Sequence, residues 1–323
     1  MTRSIFIAAA LALAVTLPAV PAQAQANRTF VSAAGSDSNN CANVTTPCRH
    51  FAAAFAVTAP SGEIFVLDPA NYGSLTITHA VSIEGHGWAS IAPPNGGNAI
   101  TINAGSSDSI SIHGVSIDGT GATGGTNGIV FNIGGSLTVS NCTLQNFAYD
   151  GSHNTTGNGI LMQPTTGTLA FTITNTTASN NGNAGINFVP QSGSPNANGV
   201  IDHVVANANG FGIAVNPESA TGGSIVVTIS DSIASNNRAL GISAGNGSAT
   251  LKVSIDNVSI SGNNTGIQAV TPANVLLGRS VITGNSLGVN NLTSPNTFGS
   301  YRDNRINLNG TDVPVAMNTL TAQ

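Results

Sequence analysis

Aliphatic residues alternate with Ser, Thr and Asn over short stretches of this chain, and Asn- and Gly-rich breaks separate them. Alternation of this kind predicts half-buried strands. The pattern also repeats. Gly followed by an aliphatic recurs at Gly128-Ile129, Gly159-Ile160, Gly185-Ile186, Gly212-Ile213, Gly241-Ile242, Gly266-Ile267 and Gly288-Val289, at intervals of 31, 26, 27, 29, 25 and 22 residues. A second shape precedes several of these pairs, in Ile173 to Asn181, Ile201 to Asn209, Ile229 to Asn237 and Ile255 to Asn263. Each unit predicts a short strand, a polar corner, a second short strand, an Asn/Gly turn and a third strand at Gly-Ile.

Three strands in every 22 to 31 residues is what a parallel β-solenoid requires, with aliphatics facing inward and equivalent strands stacked about 4.8 Å apart. A β-sandwich also has short strands, but it need not repeat one corner pattern in register. Asn at the corner, as in Asn141, Asn175 and Asn257, is expected to stack on its equivalent and hydrogen-bond along a ladder. About nine coils are expected, or roughly 43 Å of stacked sheet.

Composition adds a constraint on the surface. Only 7% of the 323 residues are charged, against about 25% in typical soluble domains, so Asn, Ser, Thr and Gly must face the solvent. A net charge of −5 with no Lys/Arg cluster excludes a phosphate-backbone footprint, and so excludes nucleic acid as a partner. Arg3, the apolar run Ile5 to Val20 and the small-residue sites Ala22-Gln23-Ala24 or Ala24-Gln25-Ala26 read as a secretory signal peptide. The run is short and broken by Pro18 and Pro21, and no later segment suffices for a membrane span. The expected location is secreted or periplasmic. In an oxidising compartment Cys41 and Cys48 read as a local disulfide. Two thiolates without a second pair of ligands would under-coordinate zinc. Cys142 reads as a buried free thiol.

Several segments together carry a resemblance: Arg28-Thr29-Phe30-Val31-Ser32, the Cys41/Cys48 loop, Phe51-Ala52-Ala53-Ala54, Gly62 to Asp68, and the coil repeats. They resemble uncharacterised bacterial right-handed parallel β-helix repeat proteins of pectate-lyase-like architecture, over nearly the whole chain after the leader. The resemblance implies a fold and no particular activity. The expected fold class is therefore all-β, a single-stranded right-handed parallel β-helix (solenoid) with a short N-terminal capping helix. Thr46 as N-cap and Pro47 at the first helical position start that helix. Phe51, Ala52, Phe55 and Ala56 give it an apolar face, which closes the amino end of the stack up to Thr58. The expected divisions are a signal peptide at 1–26, a disulfide loop and cap at 27–62, coils at 63–308, and a carboxyl-terminal cap at 309–323.

Two regions can carry chemistry. Insertions at Asp118 to Asn127 and Gln145 to Asn158 fall at the same place in consecutive coils, so they should lie side by side. With His113 they bring Asp118, Tyr149, Asp150 and His153 toward one shallow binding cleft; the alternative is that loops on a solenoid simply vary. The second region is a corner. Alignment sets His203, Asp231, Asn257 and Arg279 in one column, with Asp202 and Asp256 in the adjacent outward column two coils apart. That spacing is about 9.6 Å, near the roughly 6.5–9.5 Å between the carboxyls of inverting glycosidases. Asp231 between them could share a proton or hold Ca²⁺ with either neighbour. The structural alternative is an ion pair between His203 and Asp231 that replaces two Asn rungs.

Family motifs give catalysis little support. Polygalacturonase-like hydrolases carry Asn-Thr-Asp, Asp-Asp, Gly-His-Gly and Arg-Ile-Lys in that order, and only Gly85-His86-Gly87 matches, in the first coils. Pectate-lyase-like enzymes use acidic Ca²⁺ ligands and a basic residue, for which Lys252 and Arg279, then Arg238, stand nearest. Aromatics are few, with Trp88, Tyr72, Tyr149 and Tyr301 beside Phe residues such as Phe131, Phe171, Phe188 and Phe211 at positions suited to stacking inside coils. The Thr-rich stretch Thr172 to Thr177 repeats in no column, so an ice-binding face is not expected. The sequence favours an exported, non-catalytic protein that presents a polar face to a polysaccharide or cell-surface partner and needs no cofactor. The alternative is an enzyme that degrades acidic polysaccharides, a lyase or glycoside hydrolase. There Asp202, Asp231 and Asp256 are acid, base or Ca²⁺ ligands, and Ca²⁺ enters only under the lyase form.

Overall fold

The computed structural model describes residues 25–151, 154–293 and 297–321. The expected signal peptide falls almost wholly outside them. The described chain winds into a right-handed parallel β-helix. One face is a sheet of nine parallel strands, running from Leu75–Ile77 through the Gly-Ile strands to Leu287–Leu292. The other two faces form one 20-stranded sheet, in which long strands such as Asn196–Asp202 and short strands such as Val205–Asn207 make separate ladders. In the early coils Val81–Ile91 and Ser109–Asp118 pass through the corner as single bent strands and join the two ladders.

Register follows the repeat. Ile160, Ile186, Ile213, Ile242, Ile267 and Val289 stand opposite one another in adjacent coils and are fully buried. Each such side chain contributes roughly 1.5–3 kcal/mol by leaving water. The Gly before each has a separate cause. A Cβ at Gly212 would sit 2.4 Å from the Gly241 carbonyl oxygen, and one at Gly185 2.8 Å from that of Gly212. Successive coils approach too closely there for any side chain. Gly199 makes a different space: it faces Phe171 in register and leaves room for the ring.

The corners need a left-handed residue. Asn141, Asn175, His203, Asp231, Asn257 and Arg279 have φ of 47° to 52°, a region that Asn and Asp tolerate best. This is the expected column, but it is not the expected ladder. Asn141, Asn175 and Asn257 are exposed. Among the described residues their side chains bond neighbours only through Asn257 to Asp231 and Asn141 to the His113 ring. The continuous ladder is buried, at the last residue of each repeated shape. Asn209 Nδ2 donates to Asn237 Oδ1 at 3.2 Å, Asn237 Nδ2 to Asn263 Oδ1 at 3.0 Å, and Asn263 Nδ2 to Asn285 Oδ1 at 2.9 Å. The same nitrogens also donate to carbonyls of the preceding coil, Ala178 O, Ala206 O and Ala234 O. Asn181 begins the run, accepting from the Phe147 amide, and Asn309 ends it by donating to Asp312 Oδ1 at 2.9 Å. Interior positions force the amides to satisfy one another, because no water reaches them.

Both ends extend past the expected coil boundaries. Ala26–Val31 already pairs in parallel with Thr58–Val66, and Asn318–Leu320 pairs with Phe298–Tyr301. The helix spans Phe51–Val57 with His50 as N-cap and no side-chain cap, so it starts later than Thr46 and Pro47 predict. The Cys48 amide donates to Phe30 O and Cys48 bridges Val31, which holds 47–49 extended. Its buried face is Phe51, Ala54 and Phe55; Ala52 and Ala56 are exposed. That face packs on the first strands of both sheets. Cys41 and Cys48 are joined by a disulfide with a Cα–Cα distance of 5.0 Å. Cys142 is a buried thiol whose ionisation burial pushes up to about 11. No helix among the described residues is long and apolar enough to cross a membrane.

Candidate functional site

The two insertions lie against each other, and Asp118 joins them. Its carboxylate accepts from Gln145 Nε2 and Asn146 Nδ2, each at 2.8 Å, and from the Thr120 amide and hydroxyl within its own loop. Partial burial works against this charge, but the bonds from Thr120, Asn146 and Gln145 outweigh it and hold the carboxyl down at about 2. Thr126 adds backbone bonds to Ala148 and Gly157. Asp118 therefore fastens two loops. His113 does not join them: it pairs with Ser140 one corner away, in the outward column that continues through Thr174 to Asp202. Tyr149 is half-exposed and packs over Gly157 and Gly182, where a Cβ would come within 2.8 and 2.6 Å of its own Cβ. Asp150 is exposed. His153 lies outside the described residues.

The 145–158 insertion continues over the outer face of the nine-stranded sheet and walls a cleft of about 180 Å³. Asn187 and Ala214 form its floor; they alternate with the inward-facing Ile186, Phe188, Ile213 and Val215 and stand in register with Leu161 and Ser243. Asn154 supplies one wall, Asn216 and Glu218 the other, and Asn183, Phe211 and Val189 complete it. Asn154 is the organising residue. Its carbonyl accepts from Asn183 Nδ2 at 2.8 Å, Asn187 Nδ2 at 3.2 Å and Asn158 Nδ2 at 3.1 Å. Its own Nδ2 donates to Glu218 Oε1 at 2.6 Å, and Asn246 Nδ2 reaches Glu218 Oε2 at 3.1 Å. Glu218 thus ties three loops across the cleft.

Of these lining residues only Asn154 falls in an insertion that the sequence marks for binding. Asn187 was legible in one respect, since alternation with Ile186 and Phe188 places it on the outer face of its strand. Phe211 corrects the expectation of a ring stacked inside the coils: it is half-exposed and lies in the outer column with Ala184 and Leu240. Phe131, Phe171 and Phe188 are buried in the core as expected.

The charged corner is assembled differently from the expected pattern. Asp202, Ser230 and Asp256 stand in one outward column, with Ser230 between the two acids. His203 pairs through Nδ1 with Asp202 Oδ2 at 2.7 Å, not with Asp231, and Ser230 Oγ donates to Asp202 Oδ1 at 2.6 Å. Asp231 accepts from Asn257, and Arg279 grips Asp256 through both Nε and Nη2. Bonds from Ser230 and His203 hold Asp202 below the usual carboxylate range, and the Arg279 guanidinium does the same for Asp256. Asp202 in turn raises His203. Neither Asp202 nor Asp256 is poised to donate a proton near neutrality, as a general acid must be. Ligand atoms of Asp202, His203 and Asp231 do lie within 4.8 Å of one another, so this trio could take a cation. His203 and Arg279 occupy left-handed positions, which His tolerates and Arg disfavours, and each spends its side chain on the acid beside it.

Two solved structures of similar fold agree on architecture. A pectate lyase, Pel9A, matches over 92% of this chain and 75% of its own, with a TM-score of 0.51 at 18% identity. The fold is that of the pectate-lyase-like β-helices. A GH136 lacto-N-biosidase from Eubacterium ramulus matches over 92% of this chain and 67% of its own, with a TM-score of 0.52 at 10% identity. No family model and no curated protein matches the chain. At such identities the likeness is one of fold.

Proposed function

We propose that this protein is an exported, non-catalytic β-helix that holds a polysaccharide or surface glycan in the cleft over its nine-stranded sheet. One observation carries the reading: the cleft is lined by amides, and Glu218 is the one carboxylate among its described lining residues. Cleaving a glycosidic bond ordinarily takes two carboxyls, whereas holding a sugar takes a shaped cleft with a few placed polar groups. The sugar-acting names of these two structures of similar fold favour a glycan over a protein as partner. The leader at 1–26 and the Cys41–Cys48 disulfide support export.

The test is size-exclusion chromatography with light scattering, on the mature protein mixed with acidic and neutral polysaccharides, with and without Ca²⁺. Co-elution with chains of unchanged length is the expected result. Shortened chains would make the protein an enzyme. That second reading, cation-assisted cleavage of an acidic glycan at the corner, is favoured by the grouping of Asp202, His203 and Asp231. It requires Asp231→Asn to lose turnover while melting unchanged; a change in melting alone leaves the corner structural.

A further inference from the structure

We propose that the cleft selects neutral, hydroxyl-rich sugars and rejects uronic acids. The proposal rests on the reading that the cleft binds a glycan, and it follows from a count of donors and acceptors. The amide nitrogens of Asn183 and Asn187 are both spent on Asn154 O and Asn158 Oδ1. A carbonyl oxygen can only accept, so the orientation of both amides is fixed. Their Oδ1 atoms have no partner among the described residues and remain as acceptors. Asn154 repeats the pattern in part, because one N–H of its Nδ2 is spent on a carboxylate and its Oδ1 is left over. Glu218 adds two carboxylate oxygens, each with one donor from the protein and lone pairs to spare. Against these acceptors stand the second N–H of Asn154 Nδ2 and the Nδ2 of Asn216, whose Oδ1 takes the Ser243 hydroxyl at 3.0 Å.

An acceptor-rich, negatively charged cleft complements a ligand that donates. Sugar hydroxyls donate; an ionised carboxylate only accepts and would meet Glu218 as a like charge. No Lys, Arg or His is among the described lining residues, and Arg238 is committed to the chain at Asn181 and Gly182, with Nη2 donating to Gly182 O at 2.6 Å and Asn181 O at 3.4 Å. Phe211, Ala214 and Val189 supply apolar surface for the C–H face of a ring. At about 180 Å³ the cavity is smaller than drug-sized pockets of about 300–1,000 Å³, which suits one ring of a longer chain.

Isothermal titration calorimetry on the mature protein tests this, with cellohexaose, mannohexaose and chitohexaose against hexagalacturonate and hexamannuronate, each in EDTA and in Ca²⁺. The expected result is binding of at least one neutral oligomer, unchanged by EDTA, with both uronates weaker by about tenfold or more. Glu218→Gln should narrow that gap. Asn187→Leu, a side chain the same column already carries at Leu161, should weaken the neutral oligomer by about tenfold while melting as wild type. Tighter binding of a uronate, with or without Ca²⁺, overturns the selectivity and leaves glycan binding standing. No binding by any probe overturns both. Undiminished binding by Asn187→Leu removes the cleft as the site.

Discussion

Single residues in this protein act mostly by satisfying what the coil geometry leaves over. Asn237 accepts the Asn209 backbone amide at 3.0 Å and gives its own nitrogen to Ala206 O and Asn263 Oδ1. Asn237→Ala strands these buried groups, so urea unfolding should show a loss of about 2–3 kcal/mol. Asp118 makes a pH-dependent contribution. Its folded pKa, about 2, lies below the ordinary 3.8, so the stabilisation is complete above 3.8 and is lost as pH falls toward 2. Wild-type melting should fall across that window, and Asp118→Asn should start lower near neutrality and fall less. His203 has the opposite sign. Asp202 raises it above 6.5, so the pair stabilises below that value and is lost as pH rises through the folded pKa. In a proton NMR titration the His203 midpoint should lie above 6.5 and return toward it in Asp202→Asn. A midpoint unmoved by that substitution would remove the pairing.

At the scale of elements, strands and loops have separate duties. The strands stack through backbone ladders and aliphatic columns, and their outward positions are free to carry Asn187 or Phe211 without cost to the core. The 145–158 insertion is free in another sense. Beyond Phe147 and Ala148, its ties to the cleft floor run through Asn154 and, at its far end, Asn158. Replacing 150–156 with a short Gly linker should therefore abolish binding of the neutral oligomer in calorimetry. Melting should shift by no more than about 2 °C, because the amides that Asn154 served become solvated when the loop is gone. Loss of folding in this variant would mean that the insertion is a brace and not a wall.

The whole molecule is a stack with two ends, and each end is an exposed edge unless covered. The amino end is covered by the helix Phe51–Val57, through Phe51 and Phe55. Phe51→Ala should cost about 3–5 kcal/mol and expose the first strands, so light scattering should show higher oligomers where the wild type shows none beyond its own. At the carboxyl end the amide ladder meets Asp312, which accepts from both Asn309 N and Asn309 Nδ2 and so ends the chain of amides with an acceptor.

The sequence by itself determined the stack, because a coil repeats its local demands. Period-two aliphatics make inward columns, Gly before Ile marks a carbonyl's close approach, and polar corner residues mark a left-handed turn. Each signal is local and recurs, so the chain states it several times over. It also placed Asp202 and Asp256 two coils apart and set the insertions side by side. What it left open were choices between equivalent columns and between partners one residue apart. Asn at the corner and Asn at the following turn look alike in sequence, yet the first is solvated and the second buried. Whether His203 turns to Asp202 or to Asp231 depends on side-chain direction at a left-handed corner, which spacing does not encode. The cleft was decided at a still longer range. Asn154 and Glu218 are 64 residues apart, and only the lateral stacking of coils, with a loop folded across them, brings their side chains into one hydrogen bond.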